Sequence, residues 1–201
     1  MATTTPNYGW PVPTSADYVA QGAVAIEALG DAIDATVFGL PSGGMTLLST
    51  TTLSGASTTV SSISQAYSNL EIWVYGQTNA SSDAGTQIRP NAATNLVFNT
   101  GTSNNNGTFG TVGQTDTVIQ SNQAYARNDA NNFTMARISN YTSSTNFKGL
   151  SYINGYLRDN STYNVTQYSG VIRTNTAISS LVFIKDGSQT WLTGTVKIWG
   201  M

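Results

Sequence analysis

The chain has 201 residues, a net charge of −2 and an isoelectric point near 4.8, with only 9% of its residues charged; an average soluble domain carries roughly 25%. That balance offers no basic field for nucleic acid, and no apolar run reaches the ~18 residues that a membrane span requires. There is no cysteine and no histidine, which removes a disulfide framework, the usual zinc, haem and iron–sulfur ligand sets, and the ordinary general base of Ser and Cys hydrolases.

Residues 1–13 (MATTTPNYGWPVP) read as an extended arm, because Pro6, Pro11 and Pro13 punctuate it and proline holds the preceding residue extended. The N-terminus lacks the basic and apolar regions of a signal peptide, so none is expected. Residues 14–38 predict one amphipathic helix, with Thr14 as N-cap and Asp17 three residues on in a capping-box-like pattern. Val19, Gly22, Ile26, Leu29 and Ile33 alternate at spacings of three and four, a heptad seam about three repeats long. Gly22 and Gly30 weaken such a helix by ~1 kcal/mol each relative to alanine. A helix this short is marginal alone in water. It needs its own β domain, copies of itself, or another protein to cover it. The helix holds Asp17, Glu27, Asp31 and Asp34 and no base, while the rest of the chain holds all eight bases and six acids. Either a solvated face or an electropositive groove elsewhere accounts for that bias.

Residues 39–44 form a Gly/Pro-rich joint, and residues 45–201 predict a β domain. Strand signals fall at Met45–Leu53, Val60–Ser64, Leu70–Tyr75, Gln87–Arg89, Asn95–Phe98, Thr117–Ile119, Phe133–Ile138, Gly149–Leu157, Val171–Arg173, Ser180–Lys185 and Gly194–Trp199. Their spacing of about 8–12 residues, with turn residues between, predicts an antiparallel sandwich or jelly roll. In GTVKIW, Val196 and Ile198 alternate with Lys197 and Trp199, one buried face and one exposed. Residues 99–113 (NTGTSNNNGTFGTVG) read as an exposed low-complexity loop.

No constellation of residues points to catalysis. A glycosidase needs two positioned carboxylates, and Glu71, Asp83, Asp116, Asp129, Asp159 and Asp186 show no pairing by spacing; most sit in turn contexts, where Asp bonds the nearby backbone. GTFGTVG lacks the Gly-Lys-Ser/Thr ending and the following helix of a phosphate loop. Asn128-Asp129 and Asp159-Asn160 lack EF-hand spacing. No catalytic residue, metal ligand or cofactor is therefore assigned. Tyr125, Tyr141, Tyr156 and Tyr163 lie in a region dense with Asn and Ser, a composition suited to low-entropy contact surfaces including sugar binding. The same tyrosines would serve equally as core or subunit packing.

Two segments carry a resemblance. PNYGWPVPTSADYVAQGAVAIEALGDAID is similar to the N-terminal module of many bacteriophage virion proteins, in which an extended Tyr-Gly-x-Pro arm precedes an Ala-rich helix with a short acidic end. LVFIKDGSQTWLTGTVKIWGM resembles the closing strands of phage appendage domains. Together they cover about a quarter of the chain. The resemblance implies a non-enzymatic tailed-phage virion protein: a tail or collar fibre, or a head-fibre or capsid-decoration subunit. It further implies a homotrimer, a virion anchor at Pro6, Tyr8, Trp10 and Pro11, contact with other virion proteins through residues 1–40, and an outward β domain that meets a host-surface glycan. On this view Val19, Ile26, Leu29 and Ile33 line the oligomer axis. Ile at one core position with Leu at the other favours two-stranded coils, so trimerisation would rest on the β domains. A reading of another class is a free carbohydrate-binding module, for which the first forty residues would be dispensable.

Overall fold

The computed structural model describes residues 3–15, 18–39, 44–80, 84–92, 97–105, 108–116, 119–120, 130–157 and 163–201. The chain divides into two compact units, Met1–Gly44 and Met45–Met201.

In the first unit the expected extended arm instead turns back on itself. Strand β1 (Thr3–Thr4) pairs antiparallel with β2 (Pro11–Val12). Gly9, at φ +67°, supplies the left-handed residue that the reversal needs. The Gly9 N–H donates to the Thr5 carbonyl at 3.0 Å, and the Thr5 N–H to the Trp10 carbonyl at 2.9 Å. Pro11 cannot donate, and a two-residue edge ladder tolerates that. Helix α1 then runs Val19–Gly39. It begins later than the sequence suggests. The Tyr18 carbonyl accepts N–H bonds from Gln21 and Gly22 at 2.8 and 2.9 Å. Asp17 lies outside the described residues.

The second unit is a β-sandwich of two antiparallel sheets. Its strands are β3 (Thr46–Thr52), β4 (Ser57–Val60), β5 (Asn69–Asn79), β6 (Thr86–Pro90), β7 (Val97–Asn105), β8 (Thr108–Asp116), β9 (Ile119–Gln120), β10 (Phe133–Ser139), β11 (Lys148–Leu157), β12 (Tyr163–Ile172), β13 (Leu181–Lys185) and β14 (Trp191–Gly200). Setting β7, β8, β11 and β12 apart, the other eight nest first with last. β3 pairs β14, β4 pairs β13, β5 pairs β10, and β6 pairs β9. A long hairpin rolled across two sheets gives this order, which is that of a jelly roll. The sheets run β3-β14-β5-β10 and β4-β13-β6-β9, and the first continues beyond β10 through β11, β12, β7 and β8 to eight strands. Residues 99–105 and 108–113, expected as part of a loop, thus belong to β7 and β8; residues 106–107 lie outside the described residues.

Alternation along the strands builds the core. Leu70, Ile72 and Val74 of β5, Ala136 and Ile138 of β10, and Val196 and Ile198 of β14 are wholly buried; across from them lie Leu181 and Phe183 of β13, Ile88 of β6 and Ile119 of β9. Tyr141 joins this core. Its ring is completely buried, its hydroxyl donates to the Ser64 carbonyl, and its own carbonyl accepts the Ile178 N–H at 2.8 Å. Burial pushes its phenol above the usual range. Lys148 is buried as well, and its ammonium donates to the carbonyls of Ser143, Asn146 and Thr174 at 2.7, 2.9 and 2.8 Å. Three carbonyl acceptors match the three donors of an ammonium group, so this cation ties the turn after β10 to the segment after β12.

Candidate docking and display surfaces

The helix is amphipathic in a divided way. Gly22, Ala25, Leu29, Ala32 and Thr36 are partly covered, and the helix packs on β2. Trp10 closes that contact by donating its indole N–H to Thr36 Oγ1 at 3.0 Å, and Tyr8 stacks on Trp10 with ring centroids 5.1 Å apart. Ala25 and Ala32 keep the covered side low, while Gly22 faces open space, with nothing within 4 Å of an added Cβ. On the other side Val19 is 94% exposed, Ile26 63%, Ile33 37% and Val37 58%. Val19, Ile26 and Ile33 recur every seven residues, so they share one stripe. The expected seam is therefore split: Leu29 lies on the side of Thr36 and the arm, while the three β-branched members remain uncovered. Of the predicted anchor residues, Pro6 and Tyr8 are exposed and Trp10 and Pro11 half-buried; the fold joins the last two to the helix rather than leaving them on a free arm.

The second surface is the outer face of the eight-stranded sheet. Register places three rows across its strands. One is Trp199–Glu71–Arg137–Ser151–Ser169, a second Lys197–Trp73–Met135–Ile153–Gln167, and a third Thr195–Tyr75–Phe133–Gly155–Val165. Trp73 packs on Trp199 at 4.5 Å between centroids. The Trp73 indole N–H donates to Glu71 Oε1 at 3.3 Å, and Arg137 Nε donates to Glu71 Oε2 at 3.0 Å. Glu71 is nearly buried while the Arg137 side chain is half-exposed, so the carboxylate is fixed and the guanidinium stays reachable. Phe133 lies over Gly155, where an added Cβ would come within 2.7 Å of the ring; only glycine there lets the aromatic lie flat on the sheet. The Lys197 ammonium stands 5.8 Å from the centroid of Tyr75.

The tyrosines chosen for display fare differently. Tyr163 is 73% exposed. Tyr141 and Tyr156 are buried, which corrects their assignment. Tyr156 follows Lys148, Leu150, Tyr152 and Asn154 on the inward parity of β11, where Tyr152 stacks on Tyr168 of β12 at 4.6 Å. Tyr125 lies outside the described residues. No spacing marks Trp73, Glu71 and Arg137 as a site in the sequence, although the alternation in LEIWVY and in VKIW gives Trp73 and Trp199 each an outward parity. Among the described residues no group of three or more Asp and Glu could hold a metal ion, and no helix is long and apolar enough to cross a membrane.

Comparison with protein-family models, with curated proteins and with solved structures finds no match for this chain.

Proposed function

We propose that this chain is a non-enzymatic structural protein of a tailed-phage virion. It acts as an appendage of the fibre type, docked through residues 1–40 and displaying its jelly roll for attachment to the host. The observation that carries this reading is the uncovered stripe of Val19, Ile26, Ile33 and Val37. The unit folds its arm onto one side of the helix and leaves this side, β-branched at every position, in water. Exposed aligned apolar side chains mark a surface that another molecule covers, and the helix-in-groove mode uses anchors at i, i+3, i+4 and i+7, spacings that Val19 and Ile26, Ile26 and Ile33, and Ile33 and Val37 supply. In a particle that molecule is another virion protein. The copies associate as a homotrimer through their β units, because the arm occupies the half of the seam that a coiled coil would need. Many copies per particle convert weak single contacts into avidity.

The double substitution Ile26→Asp, Ile33→Asp tests the docking surface. Both residues are solvent-facing, so the purified variant should keep the melting temperature of the parent chain. Particles assembled with it should carry roughly a tenth of the parent amount or less, since two charges in a desolvated groove cost several kcal/mol. Normal incorporation would remove the stripe from the anchor.

A further inference from the structure

We propose that the outer face of the eight-stranded sheet is a binding groove for a neutral oligosaccharide, with Trp73 and Tyr75 as its stacking wall and the Glu71–Arg137 pair as its hydrogen-bonding floor. This rests on the reading of the jelly roll as the displayed, host-attaching part, and it assigns the place and the ligand class.

Two depressions meet on this face. One, of about 350 Å³, is lined by Glu71, Arg137, Ser151 and Gln167 together with Met135 and Ile153. The other, of about 290 Å³, is lined by Trp73, Tyr75, Phe133 and Met135. Met135 is common to both, so a polar floor and an aromatic wall run side by side. A sugar ring has the matching division, an apolar face of C–H groups and a rim of hydroxyls, each both donor and acceptor. The register from Glu71 through Arg137 and Ser151 to Ser169 crosses four strands, about 14 Å at the usual spacing, which exceeds a single sugar ring.

The floor is organised before any ligand arrives. A carboxylate offers about four lone-pair sites; Glu71 uses one toward the Trp73 indole and one toward Arg137, and the remainder can accept from hydroxyls. Arg137 keeps exposed guanidinium N–H groups, which can donate to ring and hydroxyl oxygens. Within the floor the two charges cancel, and the further cation of these rows, Lys197, stands against the Tyr75 ring, so the floor presents hydrogen-bonding partners for hydroxyls rather than a net charge for an acidic group. A second copy of the chain fits less well. Protein interfaces deplete charge at their centre, and here the centre is an ion pair with a row of serines beside it, which an apposed sheet would bury without partners.

The test uses the full-length protein on an array of immobilised neutral gluco-, galacto- and manno-oligosaccharides beside sialylated and phosphorylated ones, followed by titration of the best ligand through tryptophan fluorescence. At least one neutral oligosaccharide should bind and quench or shift the emission. Trp73→Ala should weaken it roughly tenfold or more, the scale of a lost aromatic stack, and Arg137→Met by a smaller factor. Leu192→Ala, exposed and outside the groove, should leave affinity within about twofold. Melting temperatures show whether each variant is folded. The groove is refuted if no neutral oligosaccharide binds, if acidic ones are preferred, if folded Trp73→Ala binds as well as the parent, or if sedimentation shows copies associating through Trp73. None of those results touches the docking role of residues 1–40, which is read from incorporation into particles.

Discussion

Replacing Lys185 by methionine should raise the stability of the β unit at pH 7 by on the order of 4 kcal/mol. Lys185 ends β13 on its inward parity and is buried, with its ammonium 5.8 Å from the centroid of the Trp191 ring. Burial lowers its pKa from the usual 10.5 to about 7, against a smaller upward pull from Asp186. The folded state thus holds a cation in a place that favours the neutral amine. The sign follows from proton counting. Between pH 7 and 10.5 the unfolded chain binds the proton and the folded chain has released it, so stability rises with pH across that window. Below pH 7 both states are protonated and the penalty is constant. The parent chain should therefore gain stability from pH 7 to 10 in chemical denaturation. The Lys185→Met curve should lie above it at pH 7 and converge toward it by pH 10. Parallel curves, or a methionine variant no more stable than the parent at pH 7, would remove the buried-cation account.

Tyr141→Ala should destabilise the same unit by about 3–5 kcal/mol, the range for emptying a buried aromatic site. Tyr141→Phe should lose only about 1 kcal/mol, because it keeps the ring and leaves the Ser64 carbonyl without its phenol donor. Both are read from urea denaturation midpoints at constant slope. The comparison separates the two uses a tyrosine in this region could have. A display residue would tolerate alanine with no stability change and lose binding; a core residue does the reverse. Little effect of Tyr141→Ala on stability would return this residue to the surface.

The contrast between those tyrosines and Trp73 shows what the sequence made legible. Strands whose inward residues are apolar, such as Leu70-Ile72-Val74 of β5 and Val196-Ile198 of β14, announce themselves by alternation. Apolar alternation shows only the end of β12, because its inward set is Asn164, Thr166, Tyr168 and Ile172: the alternation is there, but polar residues carry most of it. The β7–β8 pair was hidden in the same way by Asn, Thr and Gly. Composition leaves display and packing equally open for these tyrosines, because a residue's face is set by parity along its strand. Parity would have buried Tyr156 beside Tyr152 and exposed Trp73 beside Trp199. The helix and its apolar spacing were legible. What could not be read was which side of it the arm would take, since that depends on Gly9 reversing the chain and on Trp10 finding Thr36 26 residues away.

The division of labour between the two units is tested most directly by exchanging one of them. Residues 1–44 fused to an unrelated fluorescent protein, and residues 45–201 alone, would each be expressed in place of the full-length chain during particle assembly, and purified particles assayed for each. The docking account predicts fluorescent particles from the first chain and no incorporation of the second, which should stay folded and free in solution. Particles that take up residues 45–201 while leaving the fusion behind would contradict it, and would place the attachment on the jelly roll.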